Sequence, residues 1–274
     1  MVHAAPVGAV TRGTTNPNRL RRADRWLAGP QAWRLRHGAA PPVVVDLGYG
    51  ASGVTAYELL VRLRTVRPDL EVVALEVSPE RVRAAQRWAE PGLTFALGGF
   101  EIPIADGRDA TVVRAFNVLR QYPEDQVAGA WARVRSRLTP VGLLVDGTSD
   151  EIGRLATWVA IDRAGPVSLT LAWRLRGLDR PSVIAERLPK ALIHRNVPGE
   201  PVHRLLLALD RAWDVAAPHA SYGVRQRFIA TVQGLADAGV PVVGGRTRWR
   251  LGELTVPWGV VAPRDGPLRR HQGP

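Results

Sequence analysis

The chain contains no cysteine. That excludes disulfides, a zinc ribbon, iron–sulfur ligation and any thiol nucleophile. With no bridge to form, an oxidising compartment is neither required nor excluded. Lysine is nearly absent too: of 37 basic residues only Lys190 is not arginine. That bias fits a GC-rich coding background, so part of the high positive charge follows from codon usage. No run approaches the roughly 18 apolar residues of a spanning helix, so no membrane partner is expected. The apolar piece from Ala4 to Val10 lacks a basic leader and is broken by Pro6 and Gly8. It does not read as a signal peptide, and a cytoplasmic location is the expectation. No His, Asp and Glu spacing suggests a metal site, so no metal is expected.

What is present is a 274-residue chain, 46% hydrophobic, with a net charge of +12. It can bury a sizeable core, which excludes global disorder. The charge is uneven. Residues 1–40 carry +6 and residues 246–274 carry +4, leaving +2 for the 205 residues between. The basic ends fit either two solvated tails or a surface for an anionic partner, nucleic acid first. On the second reading Arg12, Arg19, Arg21, Arg22 and Arg25 would meet phosphates. Trp26, Trp33, Trp249 and Trp258 stand among the basic residues and could stack on bases. They suit a core equally well.

Local patterns divide the chain into a basic segment 1–40, a core 41–178, a helical appendage 179–262 and a tail 263–274. Residues 18–28 read as a short basic helix capped by Asn16 or Asn18. Val43-Val44-Val45 reads as a buried parallel strand. Further strands are expected at Glu71–Glu76, Leu93–Leu97, Ala110–Phe116 and Val141–Val145, alternating with helices that include Pro79–Trp88 and Glu124–Leu138. Ser78 caps the first of these and Pro79 stands at its first position. This alternation predicts an α/β fold with a mostly parallel sheet and helices on both faces. Ala156–Ile161 and Val167–Trp173 then read as a hairpin. Helices are expected near 183–194, 201–216 and 222–238, and strands at Thr247–Leu251 and Leu254–Val261.

The first strand runs into Asp46-Leu47-Gly48-Tyr49-Gly50-Ala51-Ser52-Gly53. Gly48, Gly50 and Gly53 satisfy G-x-G-x-x-G between a strand and a helix. Such glycines permit a tight turn and let a ligand approach the backbone. Glu76 closes the second strand, where a carboxylate can accept from both ribose hydroxyls. Dinucleotides need a helix N-terminus facing a pyrophosphate, which an acid at Asp46 would repel. Adenosylmethionine has no phosphate and carries an ammonium and a cationic sulfur, so Asp46 favours it.

Val-Val-Val-Asp-Leu-Gly-Tyr-Gly-Ala-Ser-Gly, followed by Val-Val-Ala-Leu-Glu-Val-Ser-Pro-Glu-Arg, resembles the first two motifs of class I S-adenosylmethionine-dependent methyltransferases. The resemblance covers about residues 40–175. It implies a Rossmann-like, mostly parallel seven-stranded sheet with the C-terminal appendage beside it. It implies adenosylmethionine as methyl donor, bound by Asp46, Gly48, Tyr49, Gly50, Gly53, Glu76 and Val77. Phe100 could stack on adenine, and Glu101 could replace the acid that the family often has after its third strand. Asn117 occupies the place of the family's fourth motif, where an amide oxygen can accept from a target amine; the Pro-Pro that often follows is replaced by Val118-Leu119. Asp146 and Asp150 follow the fifth strand as candidate bases. The absence of cysteine removes the covalent route to carbon-5 of pyrimidines.

Methyl transfer to an acceptor, RNA ahead of others, is the first functional reading. A small-molecule acceptor, a non-catalytic nucleic-acid- or partner-binding protein and a dinucleotide oxidoreductase are the alternatives.

Overall fold

A computed structural model describes residues 5–10, 15–266 and 268. The chain divides into two compact units, Met1–Gly153 with Ile161–Gly165, and Arg154–Ala160 with Pro166–Pro274.

The first unit contains α1 (Arg21–Ala28), α2 (Ala32–Arg36), β1 (Val43–Leu47), α3 (Val54–Arg64), β2 (Glu71–Glu76), α4 (Pro79–Ala85), β3 (Leu93–Leu97), β4 (Ala110–Phe116), α5 (Val127–Arg135) and β5 (Leu138–Ser149). The strands run in the order β3-β2-β1-β4-β5, and every pairing among them is parallel. The chain therefore winds one way from β1 to β3 and the other way from β4 to β5. This is the doubly wound, Rossmann-like arrangement, with its switch point between β1 and β4. All residues of β1 and β4 are buried, as β-branched runs covered on both faces should be. Leu59, Leu60 and Leu63 of α3 are fully buried. α1 packs against α3.

Local signals account for the ends of several helices. Ser78 accepts from the Arg81 amide and Pro79 stands at the first position of α4. The last turn, Gln86–Trp88, tightens into a 3-10 helix. The expected Asn cap of α1 is not found. Leu20 is the N-cap, with no side-chain cap bond. Asn18 instead adopts φ 60°, its amide donates to the Glu58 carboxylate at 2.7 Å, and its side-chain oxygen accepts from Arg62. β5 extends well beyond the expected Val141–Val145 at both ends.

The second unit holds most of β6 (Leu155–Asp162) and β7 (Gly165–Trp173), then α6 (Lys190–Ile193), α7 (Pro201–Val215), α8 (Val224–Asp237), α9 (Arg246–Trp249) and β8 (Glu253–Pro257). β6, β7 and β8 are successive neighbours, and β7 pairs antiparallel with β8. The described residues thus carry eight strands where seven were expected. Thr247–Leu251 is not a strand. Its first residues form α9, and Gly252 at φ 78° turns the chain into β8. The helix expected over 183–194 is cut by Pro189 into a 3-10 stretch, Pro181–Arg187, and α6. Trp158, Trp173, Trp213 and Trp258 are fully or almost fully buried. The Trp173, Trp213 and Trp258 indoles donate to the carbonyls of Pro181, Asp179 and Leu268, which satisfies their polar edges.

Candidate functional site

A cleft of about 260 Å³, partly open to solvent, lies at the C-terminal edge of the first unit's sheet. Leu47 and Gly48 enter it from β1, Glu76 and Val77 from β2, Gly98 to Phe100 from beyond β3, and Val118 and Tyr122 from beyond β4. A crevice at the switch point, outside the carboxyl ends of the strands, is where open α/β sheets bind ligands. Val7, Gly8 and Ala9 complete the lining.

The glycine turn is built as its spacing implies. Gly48 has φ 70° and Gly50 φ 83°, both in the region that favours glycine. A Cβ on Gly48 would stand 2.6 Å from Val118 Cγ2. The Gly48 amide donates to the Leu75 carbonyl at 2.8 Å, tying the turn to β2. Gly53 is needed for space: a Cβ there would meet the Phe95 ring at 2.8 Å.

Glu76 is buried and faces this turn. Its Oε2 accepts from the Gly50 amide at 3.2 Å and pairs with Arg81 at 3.4 Å. Its Oε1 accepts from the amides of Val77 and Ser78. Four donors thus converge on the Glu76 carboxylate beside the loop.

Asp46 is placed otherwise than the sequence argument assumed. It lies across from Arg114 in the β1–β4 register. Arg114 Nε donates to Asp46 Oδ1 at 3.0 Å and Nη2 to Oδ2 at 2.7 Å. The other face of the guanidinium meets Asp24 of α1, and Nη2 also donates to the Thr55 carbonyl. All three charged side chains are buried. Burial works against the Arg114 charge, but Asp24 and Asp46 outweigh it and hold the guanidinium above its usual range. The charge of Asp46 is thereby neutralised within the fold. Asp46 is therefore not a free charge at the turn that would repel a pyrophosphate.

Tyr49 is 4% exposed, and its hydroxyl has no hydrogen-bond partner among the described residues. Burial, then the neighbouring Glu76 and Asp46 carboxylates, push its phenol above the ordinary range. Its ring packs edge-on against Phe95. Phe100 is buried and stands edge-on to Tyr122 with ring centroids 5.4 Å apart.

Asn117 has φ 60° at the end of β4. That conformation turns its side chain across the strand ends, where Oδ1 accepts from the Ser149 amide at 3.1 Å. The oxygen expected to aim a target amine thus bridges β4 and β5. Asp146 points to the α5 side of the sheet, where Trp131 Nε1 donates to its Oδ2 at 3.0 Å.

The basic front is engaged within the first unit. Arg19 donates to the Ser149 hydroxyl and to the carbonyls of Ser149 and Asp150. Arg21 reaches the carbonyls of Asn18 and Ile152, and Arg22 that of Gly153. These arginines clamp α1 to the loop after β5. Arg25 is exposed, and Arg12 lies outside the described residues. Trp26, Trp249 and Trp258 are buried; Trp33 is half exposed, with Arg34 over its ring. Among the described residues no group of three or more His, Asp or Glu is placed to hold a metal ion. Nor is any helix long and apolar enough to cross a membrane.

No family model and no curated protein matches the chain. Among solved structures it is similar to the citrinin polyketide synthase CMeT domain, at 17% identity over 47% of this chain and 34% of that one, TM-score 0.38. It is similar to the plantazolicin methyltransferase BpumL at 11% identity over 48% and 46%, TM-score 0.36. The CcbJ methyltransferase from Streptomyces caelestis is similar at 18% identity over 60% and 73%, TM-score 0.36. The match spans about a third of the first of these chains.

Proposed function

We propose that this protein is an S-adenosylmethionine-dependent methyltransferase acting on a small molecule. The observation that carries the donor is the juxtaposition, at the switch point, of the left-handed Gly48–Gly50 turn and the Glu76 carboxylate. Gly48, at a left-handed φ, brings bare backbone to the cleft and is the second element of fit. When bound, adenosylmethionine supplies a methyl group on a cationic sulfur.

Each residue has a definite part. Gly48 lets the ligand lie against the backbone of the turn. Glu76 accepts from ribose hydroxyls while the Gly50, Val77 and Ser78 amides hold its carboxylate in place. Leu47, Val77 and Val118 line the cleft with apolar surface and exclude water. Displacement at a sulfonium methyl depends above all on alignment of the two reactants, so this reading needs no side chain to act as base. The small-molecule acceptor is supported by the front arginines: Arg19, Arg21 and Arg22 hold the loop after β5.

Calorimetry tests the donor. Adenosylmethionine should bind the purified chain, and Gly48→Val should weaken it by about tenfold or more, since a left-handed φ and the Val118 contact both oppose the side chain. No heat at millimolar ligand would sink the reading. Labelled-methyl transfer to small-metabolite, RNA and protein extracts in parallel tests the acceptor. Label confined to RNA or protein would overturn the small-molecule part.

A further inference from the structure

Val7, Gly8 and Ala9 line the cleft as a strap that bends at Val7 and Gly8. The Val7 amide donates to Glu101 Oε2 at 2.9 Å, and the Val7 carbonyl accepts from the Phe100 amide at 2.9 Å. The Ala9 amide donates to the Tyr122 hydroxyl. The loop is shaped for this contact. A Cβ on Gly99 would lie 2.1 Å from the Val7 carbonyl oxygen, so glycine alone permits the approach. Glu101 is fixed from behind by the Gly99 amide at 2.8 Å. The next residue, Ile102, is fully buried at φ 49°, a costly conformation for a β-branched side chain.

The chemistry of the contact identifies what the strap displaces. Phe100 offers an N–H donor and Glu101 a carboxylate acceptor side by side. Val7 answers them with one acceptor and one donor. Adenine also carries an amine donor beside a ring-nitrogen acceptor. We propose that the strap is an autoinhibitory plug: the Val7 peptide takes the polar pair that would otherwise receive the purine end of an adenosyl ligand, and the two compete. This rests on the donor reading given above. The competition makes donor affinity a function of how firmly residues 7–9 are held.

The experiment titrates S-adenosylhomocysteine into the full chain, Ala9→Pro, Tyr122→Phe and the double variant. Ala9→Pro removes the strap's donor and leaves the Gly48 turn, Glu76 and the Phe100–Glu101 pair unchanged, and Tyr122→Phe removes the acceptor of that same bond. Each single variant should bind about fivefold more tightly, the equivalent of one neutral hydrogen bond. The double variant should gain no more than either single, because both remove one bond. Equal or weaker binding by Ala9→Pro, with the full chain binding normally, overturns the plug and leaves the donor reading intact. No binding by any of the four overturns the donor reading and the plug with it.

Discussion

Replacing Arg114 with methionine is expected to destabilise the protein by about 3–5 kcal/mol, the usual cost of stripping a buried charge of its partner. The side chain sits in the middle of β4, fully buried between Asp24 and Asp46. Removing it leaves two buried carboxylates facing one another. Arg62, at 2.6 Å from Asp24, still answers one of them, but Asp46 keeps only the weak donor Thr55, at 3.4 Å. Adding Asp24→Asn and Asp46→Asn to Arg114→Met should recover a substantial part of the loss, because no buried carboxylate is then left unpaired and Arg62 keeps Glu58. Urea denaturation of the three proteins measures this directly. A loss below about 1 kcal/mol for Arg114→Met would show that the network is not held as described. Donor affinity should fall along with stability, since Asp46 leads into the Gly48 turn.

That network also shows where sequence reasoning stopped. The alternation of strands and helices, the Ser78 cap and the glycine turn were legible because each is written in adjacent residues. The ion network is assembled from positions 68 and 90 residues apart in sequence. One signal did exist: an arginine inside the otherwise apolar or β-branched run Ala110–Phe116, where a charge is buried only when paired. Parallel pairing of β1 with β4 then leaves Asp46 as its neighbour. α9 was misread because four residues are too few to show a period. Asn117 was assigned a catalytic oxygen on position alone. Its left-handed φ, which asparagine adopts more readily than most residues, turns that oxygen to Ser149. The strap on the cleft had no sequence signal, because its bonds are made by backbone groups that every residue carries.

Asp146 should make the fold less stable as pH rises from about 4 to about 7. Burial raises its carboxyl from an ordinary 3.8 to about 7, against the lowering effect of the Trp131 hydrogen bond. The folded protein therefore holds a proton that the unfolded chain releases near pH 4. Stability from this group is complete below that value and is lost as pH rises to about 7, above which both states are ionised. The interval corresponds to about 2–4 kcal/mol. Asp146→Asn keeps an oxygen acceptor for the Trp131 indole but has no proton to lose. It should match the parent near pH 4 and exceed it by about 2–4 kcal/mol at pH 8. Denaturant midpoints at the two pH values decide the matter. A difference between variant and parent that is the same at both would mean that Asp146 titrates alike in the folded and unfolded chains. Because the residue lies on the α5 side of the sheet, away from the cleft, the substitution should leave donor affinity at pH 8 unchanged while raising the midpoint.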